Sequence, residues 1–196
     1  TVTATDGVNS TSQVIAVTVT DADEDAPVIS SSPIFSAAEN QTAIGTVVAT
    51  DTGSVTFSIS GAELLISSEG VISFVAAPDY EAKATYTATV TVTDSGSLAT
   101  SQAITVAVTD VDDVAPVFTS AAAFSAAENQ TSIGTVTATD VDSSSVTFSV
   151  NSTELAISSG GVLSFIAAAD FETKSAYLLT VTATDGVNST SQVIAV

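Results

Sequence analysis

The sequence predicts an all-β fold of tandem Greek-key β-sandwiches with about seven strands each. Short runs alternate apolar and polar residues, and Asp, Gly, Ser or Pro bound each run. Val, Thr, Ile and Phe dominate these runs, and no stretch keeps the 3.6-residue period of a helix. About seven short strands in ~90 residues, each with one polar face, are typical of a sandwich of antiparallel sheets.

The strands of the first complete repeat can be assigned in order along the chain. The alternating runs are residues 45–50, 54–59, 70–74, 85–93 and 102–109. Ala-rich pieces at 37–38 and 121–127 stand among Ser and Asn residues, and we expect irregular edge strand there. Tyr80 and Phe171 occupy matching places between acidic residues, and we expect both rings to anchor their turns in the core.

Internal repetition predicts how the chain is divided. Ala38-Glu39-Asn40 recurs 89 residues later, and residues 1–17 match residues 180–196 at all 17 positions, a second period of 179. We therefore expect the last two strands and linker of a preceding repeat at 1–25. Complete or nearly complete repeats follow at 26–114 and 115–196. We expect the parent protein to be a longer array of such repeats.

Charge and composition exclude several function classes. The formal net charge is −20, and the basic side chains are Lys83 and Lys174 alone. Nucleic acids and anionic membranes bind through basic patches, so both are poor partners. No apolar run approaches the ~20 residues of a membrane-spanning helix, which argues against direct membrane insertion. Cys and His are absent, so the sequence offers no zinc ligands of those types and no Ser/His/Asp triad.

The acidic residues recur at fixed places. Nineteen of the 22 lie at or beside recurring strand-end positions, and the chain has almost no base to pair with them. Ca²⁺ takes six to eight hard oxygen ligands, which carboxylates supply. An Asp-x-Asp spacing directs two side chains to the same side of an extended segment, so both can reach one ion. The pattern predicts calcium binding; the competing interpretation is that these acids only end strands and cap turns.

The ordered set of motifs resembles tandem cadherin repeats of the kind found in large bacterial surface adhesins and other extracellular repeat proteins. The motifs are Ala-Glu-Asn, Ala-Thr-Asp-x-Asp, Gly-Val-x-Ser-Phe before Asp-Tyr/Phe-Glu, Thr-x-Thr-Asp, and the linker Asp-x-Asp-Asp/Glu-x-Ala-Pro. They cover essentially the whole chain, and the set occurs twice. The resemblance implies Ig-like sandwiches joined by acidic, calcium-binding linkers.

The resemblance also implies where the calcium ligands lie. At the linker 110–114 they are Glu39, Asp79, Glu81, Asp110, Asp112, Asp113, Asp140, Asp142 and Asp185. At the upstream linker 21–25 they are Asp21, Asp23, Asp25, Asp51 and Asp94. The second repeat repeats the first set of loop ligands as Glu128, Asp170 and Glu172.

The two linkers are predicted to differ. The second repeat offers Asp140-Val141-Asp142, whereas the first offers Asp51-Thr52-Gly53 and lacks the second carboxylate. We expect the upstream linker to bind one ion fewer, or its outermost ion more weakly.

Three functions compete at this stage. The first is a calcium-rigidified structural spacer or adhesion module of a long extracellular surface protein, with neighbouring repeats of the same chain as partners. The second is a fibre or homophilic adhesion module that binds other copies of itself. The third, an enzyme or carbohydrate-binding domain, is disfavoured because carboxylate pairs such as Asp79/Glu81 recur in tandem and few aromatic residues are present. Five Asn-x-Ser/Thr sequons, which include Asn40 and Asn188, are read as chance matches in a Ser/Thr-rich chain.

Overall fold

The computed structural model describes residues 1–20, 22–143 and 145–196, and every regular element among them is a β-strand. Two strands precede the first complete repeat: β1 (Val2–Thr5) and β2 (Ser10–Gln13). The next nine are β3 (Val28–Ile29), β4 (Ile34–Ala38), β5 (Ala43–Thr46), β6 (Ala49–Thr50), β7 (Val55–Ile59), β8 (Leu64–Ile66), β9 (Val71–Phe74), β10 (Thr85–Asp94) and β11 (Ala99–Thr109). The last eight are β12 (Val117–Phe118), β13 (Ser132–Thr135), β14 (Ala138–Thr139), β15 (Thr147–Val150), β16 (Leu155–Ile157), β17 (Val162–Phe165), β18 (Leu178–Thr184) and β19 (Ser189–Ala195). The predicted all-β class is confirmed.

The strands form corresponding sheets in both repeats, but the sheet that has four strands in the first repeat has three in the described residues of the second. In the first repeat a four-stranded sheet has the order β4-β11-β10-β7, a three-stranded sheet has the order β5-β9-β8, and β3 pairs with β6. In the second repeat the corresponding sheets are β15-β18-β19, β13-β17-β16 and β12-β14. The non-consecutive neighbours, such as β4 beside β11, require the crossover connections of a Greek-key sandwich.

By contact density the chain divides into two compact units, each with its own core. The first comprises Thr1–Phe35, Ile44–Ser73 and Thr87–Thr105; the second comprises Ser36–Ala43, Phe74–Tyr86 and Val106–Val196. The repeat boundaries 26–114 and 115–196 remain a prediction.

Each core lies between the faces of two sheets. In the first unit, Ile72 on β9 packs with Val90 and Val92 on β10 and Ile104 on β11, all at most 1% exposed. The alternate positions of β10 are Thr residues, so the alternation of the sequence places one apolar face inward. In the second unit the core residues are Val136, Leu155, Leu163, Phe165, Leu179, Val181 and Ile194.

Two details differ from the sequence predictions. The run 45–50 is divided between β5 and β6, which belong to different sheets. Between them Val47 is buried, and its N–H donates to the carbonyl of Gly70 at 2.8 Å, so the chain changes sheets there. Tyr80 and Phe171 are 36% and 64% exposed, so the prediction that they anchor their turns in the core is wrong.

Gly161 occupies a position that only glycine fits. Its φ is +85°, and a Cβ there would stand 2.1 Å from the carbonyl oxygen of Val136. That oxygen cannot move freely, because the N–H of Val136 donates to the carbonyl of Gly161 at 2.9 Å. Gly70 repeats the arrangement against Val47 in the first repeat, with φ +81° and 2.4 Å.

Gly161→Ala should lower the free energy of unfolding of the second repeat by about 3 kcal/mol, from backbone strain and a distorted backbone hydrogen bond. Gly160→Ala is the matched control, because no atom lies closer than 3.9 Å to its added Cβ and the change should cost under about 0.5 kcal/mol. Urea unfolding measures both. Equal losses in the two variants would contradict the assignment.

Candidate metal centre

Strand ends bring carboxylates from four parts of the second unit to the linker. Glu39 follows β4, Asp110 follows β11, Asp140 follows β14 and Asp185 follows β18. Asp79 and Glu81 lie in the loop between β9 and β10, and Asp112, Asp113 and Asp142 lie in the linker and in the loop after β14. We call these nine side chains the linker cluster.

Glu39 ties three segments together. It is 3% exposed, its Oε2 accepts the N–H of Tyr80 at 2.7 Å, and its Oε1 accepts the N–H of Val111 at 2.8 Å. Its own N–H donates to the carbonyl of Thr109 at 3.1 Å. A buried carboxylate is stable only when its oxygens are compensated, and here one oxygen serves the loop and the other the linker.

Two groups of three carboxylates share one member. Glu39, Asp79 and Glu81 each offer an oxygen within 4.8 Å of the others, and so do Glu81, Asp110 and Asp142. Two oxygens bound to one Ca²⁺ at about 2.3–2.6 Å stand no more than about 5 Å apart. Each group therefore has the spacing of a set that can share one cation, and Glu81 can reach both.

Asp142 anchors the linker to the second repeat. Its Oδ2 accepts the N–H groups of Asp113 and Val114, both at 2.9 Å. Asp140 holds the loop in turn, since its Oδ1 accepts the N–H groups of Asp142 at 3.2 Å and Ser143 at 3.1 Å. The linker backbone is thus fixed by a side chain from the repeat that follows it.

Sequence reasoning missed two asparagines that orient linker carboxylates. Asn188 Nδ2 donates to both the carbonyl and Oδ1 of Asp112, at 3.3 and 3.2 Å. Asn40 Nδ2 donates to Oδ2 of Asp113 at 2.5 Å. A signal was present in the sequence, because Asn40 recurs as Asn129 and Asn188 as Asn9, which the interpretation as chance sequons overlooked.

The remaining oxygens of the linker cluster fit a cation. Oδ2 of Asp140, Oδ1 of Asp142 and Oδ2 of Asp185 are buried and have no hydrogen-bond partner among the described residues. Buried carboxylate oxygens without a donor are costly unless a positive charge compensates them. The ligand atoms that the linker cluster offers are carboxylate oxygens. Such hard ligands fit Ca²⁺ and do not fit a metal that prefers thiolate or imidazole ligands.

Burial, hydrogen bonds and mutual repulsion shift the pKa values of several carboxyl groups in the linker cluster. Partial burial raises the pKa of Asp112. A hydrogen bond from Asn188 lowers it, but repulsion from Asp185 and Asp142 raises it further, so the pKa is raised overall. The close approach of the two carboxyl groups raises the pKa of Asp140 and lowers that of Asp142. The pKa of Glu81 is lowered by a backbone hydrogen bond but raised more by burial and by neighbouring acids, so it is raised overall.

A smaller acidic group lies in the first unit. Asp23, Asp51 and Asp94 each offer an oxygen within 4.8 Å of the others. Asp94 is 7% exposed; its Oδ1 accepts the N–H of Leu98 at 2.9 Å, and its buried Oδ2 has no partner among the described residues. Partial burial, followed by repulsion from Asp51 and Asp94, raises the pKa of Asp23. A Cβ at Gly53 would stand 3.6 Å from Oδ2 of Asp51, so a side chain there would adjoin this group.

The third group repeats the loop ligands in the second repeat. Glu128, Asp170 and Glu172 are mutually within 4.8 Å, and all three are exposed. Glu128 Oε2 accepts the N–H of Phe171 at 3.2 Å, as Glu39 does for Tyr80. Hydrogen bonds from the hydroxyl and the N–H of Thr173 lower the pKa of Asp170.

The structure therefore brings most of the proposed ligands into groups of three or more. Those within 4.8 Å of two others are Glu39, Asp79, Glu81, Asp110, Asp142, Asp23, Asp51, Asp94, Glu128, Asp170 and Glu172. Those outside these tight groups are Asp112, Asp113, Asp140, Asp185 and Asp25. Asp21 lies outside the described residues. The ligand assignment itself stays a prediction.

Comparison with known proteins relates this arrangement to one class of fold. No protein-family model matches the sequence. The chain is 32% identical to Protocadherin Fat 4 of Mus musculus over 201 residues, which is 89% of the chain. It is 33% identical to the Drosophila melanogaster Protocadherin-like wing polarity protein stan over 136 residues, or 61% of the chain. The chain spans 4% of the length of each relative.

Solved structures show the same architecture. Mouse Protocadherin-24 EC1-3 matches with a TM-score of 0.71 and 24% identity, covering 98% of this chain and 76% of that one. Mouse Cadherin-23 EC22-24 also has a TM-score of 0.71, at 23% identity, over 88% and 66% of the two chains. The Protocadherin GammaB4 extracellular domain matches at 27% identity and a TM-score of 0.66, over 90% and 34%. Together with the two sandwich cores described above, these similarities show that the chain has the fold of cadherin-like repeats.

Proposed function

We propose that the chain is a pair of calcium-rigidified spacer or adhesion repeats, at 26–114 and 115–196, in a long extracellular surface protein. The observation that carries this proposal is the linker cluster, in which carboxylates from both predicted repeats surround the linker. Buried oxygens of Asp140, Asp142 and Asp185 have no donor among the described residues. A set of this kind repels itself unless cations bind.

The residues divide into groups that would hold separate ions. Glu39, Asp79 and Glu81 would hold one, and Glu81, Asp110 and Asp142 a second. The orphaned oxygens of Asp140 and Asp185, with Asp112 nearby, offer ligands for a third. When bound, calcium supplies charge neutralisation and cross-links the loops, while Asp142 holds the linker through the N–H groups of Asp113 and Val114.

Composition and repetition support an extracellular setting. Calcium affinity in the ~10⁻⁴–10⁻³ M range suits the extracellular medium and not the cytosol. The exact match of residues 1–17 to 180–196 supports a protein whose length is built by duplication, as in a large bacterial surface adhesin. Among the described residues no helix is long and apolar enough to cross a bilayer. The recurrence of the carboxylate groups supports a structural and not an enzymatic role.

Small-angle X-ray scattering on the chain should detect the proposed rigidity. In millimolar calcium the two repeats should hold one relation to each other, and in calcium-free buffer they should hinge about residues 111–115. The measured radius of gyration should then differ between the two conditions. Magnesium at the same concentration is the control, because its small octahedral shell suits a flexible carboxylate cage poorly. An identical radius in all conditions would refute the spacer mechanism even if calcium binds.

A further inference from the structure

Both basic side chains of the sequence stand at the same place in the repeat. Lys83 lies two residues after Glu81, and Lys174 lies two residues after Glu172, in a chain with a formal net charge of −20. Both glutamates belong to groups of three carboxylates that could share a cation. A positive side chain beside such a group repels calcium. Its presence in both repeats therefore needs another explanation.

Each lysine is the last residue of a turn that begins at the aspartate of the group. The N–H of Lys83 donates to the carbonyl of Asp79 at 2.9 Å, and Oδ1 of Asp79 accepts the N–H of Ala82 at 3.0 Å. The N–H of Lys174 donates to the carbonyl of Asp170, also at 2.9 Å. These bonds shape the turn, but they do not attach it to the sheets.

The aromatic residue inside each turn does not attach it to the core either. Tyr80 and Phe171 are 36% and 64% exposed. The N–H of Tyr80 donates to Oε2 of Glu39 at 2.7 Å, so this bond joins the turn to another proposed calcium ligand. A contact with the core must come from a different side chain.

The lysine side chains make that contact. Nζ of Lys83 lies 4.3 Å from the centroid of the Tyr86 ring, and Nζ of Lys174 lies 4.5 Å from the centroid of the Tyr177 ring. An ammonium group at this distance is attracted by the negative face of the ring. The same cation–π contact is therefore present in both repeats.

Both rings are in turn held by buried aromatic residues. The centroid of the Tyr86 ring lies 5.0 Å from that of Phe74, which is 2% exposed. The centroid of the Tyr177 ring lies 4.9 Å from that of Phe165, which is 6% exposed. A continuous set of contacts thus leads from the core through the ring and the lysine to the end of the turn.

In the second repeat the ammonium group also has an ion-pair partner outside the acidic groups. Nζ of Lys174 lies 2.6 Å from Oε2 of Glu154, and Glu154 belongs to none of the groups that could share a cation. This pair therefore occupies no oxygen of a proposed calcium ligand. The two side chains are 43% and 52% exposed, so the pair itself stabilises little.

We propose that Lys83 and Lys174 are positioning residues for calcium binding, an inference that rests on the proposed function. Each lysine attaches the turn that carries two ligands, Asp79 with Glu81 in the first repeat, to an aromatic ring of the core. Calcium binding then needs less ordering of side chains and backbone. The repulsion between the exposed ammonium group and the ion is weakened by water and salt.

Hydrogen exchange of single amides, followed by NMR on the whole chain in calcium-free buffer, tests the positioning without the ion. In Lys83→Met, which removes the charge, the N–H of Tyr80 should exchange about twofold to fivefold faster, as expected for the loss of one exposed cation–π contact. The N–H of Phe171 should be unchanged. Lys174→Met is the matched control and should give the reverse pattern. Lys83→Arg should restore the natural rate, because a guanidinium group also stacks on the ring.

Two results of the exchange experiment would overturn the proposal. One is an unchanged rate at Tyr80 in Lys83→Met. The other is an equal acceleration at Tyr80 and at the buried Val92, because it would show a general loss of stability and no local role for the lysine.

A double-mutant cycle measures the consequence for calcium. The midpoint of a calcium titration is measured from the N–H signal of Tyr80 in the natural chain, Lys83→Met, Tyr86→Leu and the double variant. Loss of the charge alone acts equally with and without the ring, whereas positioning requires the ring. Lys83→Met should therefore raise the midpoint about twofold to fivefold more in the natural chain than in the Tyr86→Leu background.

The outcomes for the lysine and for calcium binding are separable. Additive effects of Lys83→Met and Tyr86→Leu on the midpoint would overturn the positioning role. A Tyr80 signal that calcium does not move in any variant would instead refute calcium binding at the linker cluster, and the exchange rates in calcium-free buffer would still decide whether Lys83 holds the turn.

Discussion

Removal of calcium should lower the melting temperature of the chain by about 10 °C or more. At a free calcium concentration 100 times the dissociation constant, one site stabilises the folded state by about 2.7 kcal/mol. In a domain of this size, 1 kcal/mol corresponds to about 4–8 °C. Calorimetry in calcium-depleted and calcium-containing buffer measures the difference, and equal melting temperatures would refute calcium binding at the linker cluster.

Glu39→Gln tests whether this stabilisation comes from the linker cluster. The glutamine keeps the shape of the side chain but loses the charge, and its NH₂ group faces one of the two N–H groups that Glu39 accepts, those of Tyr80 and Val111. The calcium-dependent rise in melting temperature should shrink by about half or more. Glu69→Gln is the matched control, because Glu69 bonds locally to Ser67 and Ser68 and lies in none of the acidic groups. Equal calcium responses in the two variants would remove Glu39 from the site.

The pH dependence of stability should have opposite signs with and without calcium. Without calcium, the raised pKa values of Asp112, Asp140 and Asp23 mean that the folded state binds protons more tightly than the unfolded chain. Stability then increases as the pH falls from about 7 towards these raised values. Below the ordinary carboxylate range it decreases again, because Asp142 and Asp170 have lowered pKa values. With calcium, protons compete with the ion for the carboxylates, so the free energy of unfolding should decrease continuously as the pH falls from about 7.

Asp142→Gly should have the second large effect, because it gives the 110–114 linker the residue found at position 53. Asp142 lies with Glu81 and Asp110 and accepts the N–H groups of Asp113 and Val114. Loss of this carboxylate should remove one bound ion or weaken its binding about tenfold or more, since a unit charge near a partly shielded ion contributes up to about 4 kcal/mol. Titration calorimetry measures both the stoichiometry and the affinity.

Gly53→Asp is the reciprocal change and the control for Asp142→Gly. A Cβ at position 53 lies within 4 Å of carboxylate oxygens of Asp51 and Asp23, so the new side chain joins that acidic group. It should destabilise the first repeat without calcium and strengthen calcium binding there. The increase in calcium affinity should be smaller than the decrease caused by Asp142→Gly, because the loop of the first repeat is two residues shorter. Unchanged affinity in both variants would show that the missing carboxylate does not distinguish the linkers.

The sequence predicted the class of fold well because a strand with one buried face must alternate. β10, with buried Val90 and Val92 between Thr residues, is an example. Alternation does not show which sheet a strand joins, so the division of 45–50 into β5 and β6 was missed. That division depends on the contact of Val47 with Gly70, 23 residues away.

The candidate site was predictable in its charges but not in its neutral partners. Recurring carboxylates indicate a cation. Asn40 and Asn188 also recur, but the sequence does not show which carboxylates they contact; the fold places them against Asp113 and Asp112. The exposure of Phe171 could not be predicted either, because an aromatic residue between acidic residues in a loop has no alternating neighbours that show which way it faces.

Glu81, the carboxylate common to two acidic groups, has a consequence for how the linker responds to its surroundings. An ion bound to Glu39 and Asp79 would fix Glu81 in place, so a second ion bound to Asp110 and Asp142 would find one ligand already ordered. Loss of either ion would free the side chain that helps to retain the other. The linker should therefore loosen over a narrow interval of external calcium rather than gradually, and a long array of such linkers would soften abruptly when the surrounding ion concentration falls below that threshold.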